Sequence, residues 1–184
     1  MAVREAIRPG GRSARVQEAV HSAVRAFEAY DGELSIPLIA AQAGVTPSTI
    51  YRRWGDLKEL LADVAVARLR PDGEPEDTGS FGGDLAVWLE QYSEEMSSGP
   101  GRAMIRDVLA SADQERNAGR CCAYTSAQIA QLLERAEVRG EPAPSVDTVI
   151  DRVVAPVMYR ILFSGQPISS DYRQSLLNDL VLER

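Results

Sequence analysis

Histidine, cysteine and lysine are nearly missing from this 184-residue chain: His21, Cys121, Cys122 and Lys58 are the whole supply of the three. Adjacent cysteines cannot close an ordinary structural disulfide with each other, and one histidine leaves no spaced ligand set, so neither a metal nor another cofactor is expected. No apolar run reaches the ~20 residues that span a bilayer, and the opening MAVREAIRPG lacks the apolar core of a secretory signal. A soluble cytoplasmic protein with no membrane partner is the expectation. A Gly-rich phosphate loop and a Ser/His/Asp set in plausible proximity are also missing, and the carboxylates are scattered, so no enzyme activity is expected. His21 sits beside an apolar stripe and reads as a partly exposed surface residue.

The net charge of −7 argues against indiscriminate coating of nucleic acid. Divided, it is uneven: residues 1–58 carry 8 Arg/Lys against 6 Asp/Glu, a net of +2, and the remaining 126 carry 12 against 21, a net of −9. A basic head and an acidic body follow.

The head contains the most informative stretch, LSIPLIAAQAGVTPSTIYRRWGDLK, residues 34–58. Ser35 can cap a short helix whose Ile36, Ile39, Ala40 and Ala43 recur at helical spacing, and Gly44 stands where a left-handed residue ends it. A second helix follows at once, with Thr46 as cap, Pro47 at the first helical position, and Ile50 and Trp54 four apart on one face. Two helices joined by so tight a turn make a helix-turn-helix, whose second helix fits a DNA major groove. At ~100° per residue, Ser48 and Arg52 lie opposite the inward pair, flanked by Thr49, Tyr51 and Arg53. Arginine pairs bidentately with guanine, hydroxyls donate or accept, and a phenol reaches phosphate oxygen, so this set suits a reader of base edges.

The run from Ile39 to Leu61, I-A-A-x-A-G-V-T-x-x-T-I-Y-R-R-W-x-D-x-K-E-L-L, resembles the DNA-binding domain of TetR-type regulators. The resemblance implies an all-α homodimer of about nine helices, with a three-helix reading head and a helical body that binds a small molecule and dimerises. It implies phosphate contacts for Tyr51 and Lys58. Together with the outward set, the expected DNA-binding residues are Ser35, Thr46, Pro47, Ser48, Thr49, Tyr51, Arg52, Arg53 and Lys58. Lys58 in the first turn of a helix opposes the helix dipole, which fits an external anion as its partner.

In chain order, residues 1–11, with Arg4 and Arg8, read as a flexible basic arm. Val16, Ala19, Val20, Ala23, Val24 and Phe27 then mark an amphipathic helix over 12–30, closed by Asp31-Gly32. The helix-turn-helix domain is placed at 12–58 and the body at 59–184. A fourth helix, with Asp56 as cap and Leu60, Leu61, Val64, Ala65 and Leu69 inward, runs to a surface loop at 70–79. Helices over 80–97 and 102–112, separated by a break at Gly99-Pro100, precede a long one over 113–138. Leu109 and Ala112 are among the residues expected inward.

Trp88, Tyr92, Met96, Met104, Tyr124, Thr125 and Gln128 on these helices are the expected effector pocket, mostly apolar with a few orienting polar groups. Such stripes at helical spacing are equally what a core looks like, and the pocket reading leans on the resemblance. The segment 146–164 is apolar over an arc wide enough to need partners on two sides, with Pro156 bending it, and 170–182 follows. Val149, Val153, Val157, Ile161, Leu176 and Leu180 are the expected dimer interface. DTGSFGGDL and APVMYRILFSGQPIS also resemble one subclass of TetR-type C-terminal domains.

The reading from sequence is a ligand-responsive repressor that binds a palindromic double-stranded DNA operator as a homodimer and answers to a small hydrophobic effector. Two alternatives stay open. One is a helical carrier or interaction protein whose head has lost DNA binding; the other is a regulator that senses redox state through Cys121 and Cys122.

Overall fold

The computed structural model describes residues 11–27, 33–70 and 73–182, without the side chains of Arg12, Val181 and Leu182. The described residues are all-α, with no strand among them. Nine helices follow one another: α1 Arg12–Ala26, α2 Ile36–Ala43, α3 Pro47–Trp54, α4 Leu57–Arg68, α5 Phe81–Ser97, α6 Gly99–Ala110, α7 Gln114–Arg139, α8 over 146–164, and α9 Ser170–Leu182. Residues 1–10 of the expected arm and the expected stop at Asp31-Gly32 lie outside the described residues.

The chain forms two compact units, Met1–Val64 and Ala65–Arg184. Their border falls inside α4 rather than at 58/59, because Leu60 and Val64 belong to the first core while Ala65 and Val66 belong to the second. In the first unit, Val20, Ala23 and Val24 of α1 meet Ile36, Ile39 and Ala40 of α2 and Ile50 of α3. Gly44 ends α2 at φ 65°, where a side chain would be strained, and Val45 N–H bonds the Ala40 carbonyl at 3.0 Å. That left-handed residue turns the chain sharply enough for Thr46 to start α3.

The second unit is built on α5, whose cap Ser80 accepts a hydrogen bond from Gly83 N–H. Gly99-Pro100 does not break the chain as expected but opens α6, since the first turn of a helix needs no donor from proline. The break lies one residue earlier, at the cap Ser98. Gly101 is dictated by close approach, because a Cβ there would stand 2.0 Å from the Glu95 carbonyl oxygen. Leu109 and Ala112, expected inward, are exposed: α6 ends at Ala110, and its inner face is completed by Met104, Ile105 and Val108.

Helix α8 carries Pro156 through a change of winding. Its α-helical stretches Val146–Val149 and Ala155–Tyr159 alternate with π-helical ones at Ile150–Val154 and Arg160–Ser164, and Gly165 closes it at φ 64°. Proline removes one donor and crowds the carbonyl four residues back, and a wider turn just before it relieves both. Val149, Val153, Val157 and Ile161 of this helix, with Leu176 of α9, are buried in the unit's own core, and half-buried Leu180 packs against it. The five buried residues are therefore not free to meet a second copy, which corrects their assignment to a dimer interface, whereas Leu180 keeps part of its surface exposed.

A charged cluster ties the start of α5 to the end of α7. Asp84 is 1% exposed; it accepts from the Thr78 hydroxyl and N–H, each at 2.7 Å, and from Arg139 Nη2 at 2.9 Å. Arg139 also pairs with Asp77 and Glu141, and Glu141 in turn accepts the Phe81 N–H at 2.6 Å. Burial by itself raises the Asp84 carboxyl, but the Thr78 bonds and the Arg139 guanidinium outweigh it and hold the group below the usual carboxylate range. Arg135 donates to the Pro75 and Glu76 carbonyls, so the loop after α4 is fastened rather than loose.

Candidate nucleic-acid interface

Helix α3 is only eight residues long, so its orientation depends on what holds it from beneath. Ile50 is fully buried, and Trp54, half-buried, donates its indole N–H to Asp63 Oδ2 at 3.0 Å. The same oxygen lies 3.0 Å from His21 Nε2 and 3.2 Å from Gln17 Nε2. One carboxylate of α4 thus fixes α1 and α3 together. His21 is 3% exposed, which corrects its reading as a surface residue: its ring is packed 6.2 Å from that of Trp54, and its Nε2–H is satisfied by Asp63. Nothing in the spacing of single residues marks Asp63 or Gln17 as members of this cluster.

With that side anchored, the opposite side of α3 is outward. Pro47, Ser48, Tyr51 and Arg52 are exposed, as are Ser35, Thr46 and Lys58; Thr49 is half-buried. Arg52 and Lys58 have no hydrogen-bonding or ionic partner among the described residues. Ser35 and Thr46 occupy the two cap positions with extended backbone, yet neither side chain caps its helix. Thr46 Oγ1 instead shares hydrogen bonds with Ser48 and Thr49, each at 3.0 Å, which holds three hydroxyls in one array. Asp56 does cap α4, accepting from Glu59 N–H at 2.9 Å, and so sets the start of the helix that carries Lys58.

Arg53 differs from its neighbour. Its Nη1 donates to the Ser13 carbonyl at 2.8 Å and hydroxyl at 3.0 Å, its Nη2 donates to Gln17 at 2.8 Å, and its Cζ stands 5.2 Å from the Trp54 ring centroid. The structure thus engages it with α1, whereas Arg52 one position earlier is free. Between them an open groove of about 1050 Å³ is lined by Ser13, Val16, Gly44, Val45, Thr46, Thr49, Arg52 and Arg53.

The residues expected to hold an effector do come together, but they satisfy one another. Trp88 and Tyr92 stack with centroids 5.0 Å apart, Trp88 Nε1 donates to Gln128 Oε1 at 3.1 Å, and Met96 and Met104 are buried beside them. Desolvation raises the Tyr92 hydroxyl well above its usual range despite a hydrogen bond with Thr125. Tyr124 lies half-buried on the same core. Of the two thiols, Cys122 is exposed and Cys121 half-buried, and burial pushes Cys121 up, away from the reactive thiolate that redox sensing requires.

Two family models match this chain. Residues 20–64 match the bacterial regulatory proteins of the tetR family, and residues 75–180 match the tetracyclin repressor-like C-terminal domain. A curated relative, the HTH-type transcriptional regulator AqdR of Rhodococcus erythropolis, is 31% identical over 144 residues, covering 74% of this chain and 69% of the relative. An uncharacterised HTH-type transcriptional regulator of Mycobacterium bovis is 27% identical over 162 residues, 83% of this chain and 78% of that one. Among solved structures, the TetR family transcription regulator SCO0332 superposes with a TM-score of 0.68 at 23% identity, covering 92% of this chain and 96% of that one, which speaks to the fold. With its helix-turn-helix seated on its own small core, both of its domains matched by family models and a relative 31% identical over most of either chain, this chain belongs to the TetR family of DNA-binding transcriptional regulators.

Proposed function

We propose that the protein is a ligand-responsive repressor that binds a palindromic operator as a homodimer. The observation that carries the DNA-binding part is the outward face of Ser48, Tyr51 and Arg52 over a fully buried Ile50. Arg52 reads a base edge in the major groove, with Ser48 and Thr49 beside it, while Tyr51 and Lys58 hold phosphates. Ser35, Thr46 and Pro47 approach the backbone from the two helix starts. Arg53 acts chiefly from behind, bracing α3 on α1.

Dimerisation is supported by the outer side of α8. Tyr159 and Phe163 are 63% and 74% exposed, stand 5.4 Å apart ring to ring, and adjoin exposed Leu162 and Ala155. So much aromatic surface on one helix favours burial against a second copy. Two copies would present their α3 helices to half-sites one helical turn apart, ~34 to 36 Å. An effector bound among α5, α6 and α7 relieves repression only by binding the form that does not fit the operator more tightly.

A band-shift with the DNA flanking the protein's own gene tests the reading. A discrete complex that survives competitor DNA and weakens with a small hydrophobic compound is expected. No discrete complex at any salt concentration supports instead a carrier whose head has lost its function.

A further inference from the structure

A second cavity lies in the C-terminal unit, away from the Trp88–Gln128 set. It holds about 380 Å³ and is lined by Ser93, Glu94, Ser97, Arg102, residues 165–168 and Arg173, contributed by α5, α6, the α8–α9 loop and α9. Ser93 and Ser97 stand one helical turn apart in its wall. Both hydroxyls are shut off from solvent, and neither has a hydrogen-bond partner in the protein, although Ser93 is 2% exposed. A helical serine ordinarily falls back on the carbonyl four residues earlier, and a buried hydroxyl without a partner costs free energy, so two at one cavity mark it as a place where something else supplies the bond.

The charged groups say what. Arg102 is oriented by its Nε, which donates to the Ser97 carbonyl at 3.0 Å, while its Nη groups have no partner among the described residues. Arg173 is already committed, through Nη1 to the Ile168 carbonyl and through Nη2 to Glu90. A guanidinium with free Nη groups and two serine hydroxyls among the residues that line one cavity make a donor set that matches a single carboxylate. Pro167 and Ile168 offer apolar wall to an organic tail, and Glu94 at the exposed rim opposes a second negative charge. The volume lies within the range of small-molecule sites, roughly 300 to 1,000 Å³.

We infer that this cavity is a binding site for a small monocarboxylate. Its carboxylate is received by Arg102 with the Ser93 and Ser97 hydroxyls, and its tail lies against Pro167 and Ile168. The assignment concerns binding to the C-terminal unit alone, so its test contains no DNA and its outcome stands apart from operator recognition.

The test is isothermal titration calorimetry of the full chain with hexanoate, benzoate, succinate and inorganic phosphate, alongside Arg102→Gln and Ser93→Ala, each checked for native helicity by circular dichroism. The expected result is saturable binding of hexanoate or benzoate, weaker binding of succinate, and a loss of about tenfold in either variant. No saturable heat from either monocarboxylate up to about 10 mM overturns the assignment, as does binding that both variants leave unchanged. Phosphate binding without monocarboxylate binding overturns it equally.

Discussion

His21 Nε2 stands 3.0 Å from Asp63 Oδ2, and the Trp54 indole N–H meets that same oxygen at 3.0 Å. Three helices of the DNA-binding unit therefore converge on one carboxylate, and the reading helix takes its orientation from it. Asp63→Ala takes the partner from three donors, those of His21, Trp54 and Gln17, of which only His21 is fully buried; an unpaired buried donor costs roughly 1 to 3 kcal/mol, and the half-buried ones cost less. The expected loss of stability in urea unfolding is about 2 to 3 kcal/mol. A change within about 0.5 kcal/mol would mean the cluster is incidental.

Arg52 and Arg53 are neighbours with opposite dispositions, and their alanine variants should separate cleanly. Arg53→Ala breaks the bonds to Ser13 and Gln17 and should lower the stability of the N-terminal unit by about 1 kcal/mol, weakening DNA binding through the fold. Arg52→Ala should leave the melting curve unchanged and weaken binding directly. Thermal unfolding of both variants, read beside their operator affinities, checks the division; equal stability losses would contradict it.

The Asp84–Arg139 pair gives the C-terminal unit an acid limit. Because the folded-state carboxyl is held below its ordinary value, its contribution is present above the unfolded pKa near 4 and is lost as pH falls through the lower folded value. Arg139→Met removes the guanidinium, leaves Asp84 buried with only the Thr78 bonds, and raises its pKa. The acid-unfolding midpoint followed by circular dichroism should then move to higher pH. An unmoved midpoint would show that the Thr78 bonds alone suffice.

Phe163→Glu or Tyr159→Glu places a charge on the exposed aromatic side of α8. Each variant should keep its helicity yet sediment as a monomer at concentrations where the parent protein is expected to sediment as the proposed dimer, with a loss of operator affinity that follows. Retention of the dimer in both variants would place the interface elsewhere. Ile50→Ala offers a contrasting case: it should cost about 3 kcal/mol and reduce DNA binding without touching the outward face.

The helix-turn-helix was legible because each local signal in it is short-range. Gly44 must turn left-handed, Pro47 fits a first turn, and Ile50 and Trp54 recur at one period. What the sequence concealed was long-range pairing. Gln17, His21 and Asp63 lie more than forty residues apart at the extremes, and Arg53 differs from Arg52 through its contacts with Ser13 and Gln17, about forty residues earlier, and with the Trp54 ring. The error over Val149, Val153 and Val157 has the same source: periodicity shows that a stripe must be buried but not whether the burying surface belongs to the same chain. The exposed Tyr159 and Phe163, on the other side of the same helix, carry no distinguishing pattern of their own. Likewise, Gly99-Pro100 signals a discontinuity, and only the Ser98 cap decides that it begins a helix rather than ends one.

The central claim is that α3 presents Ser48 and Arg52 to base edges while Lys58 holds a phosphate. It is tested most directly by fluorescence anisotropy of Arg52→Ala and Lys58→Ala on a footprinted operator and its single-base variants, across a salt series. Arg52→Ala should cost about 1 to 3 kcal/mol and flatten the preference at one base pair, whereas Lys58→Ala should weaken every sequence alike and lower the salt slope by about one. Operator affinity, base preference and salt slope all unchanged in both variants would contradict the account.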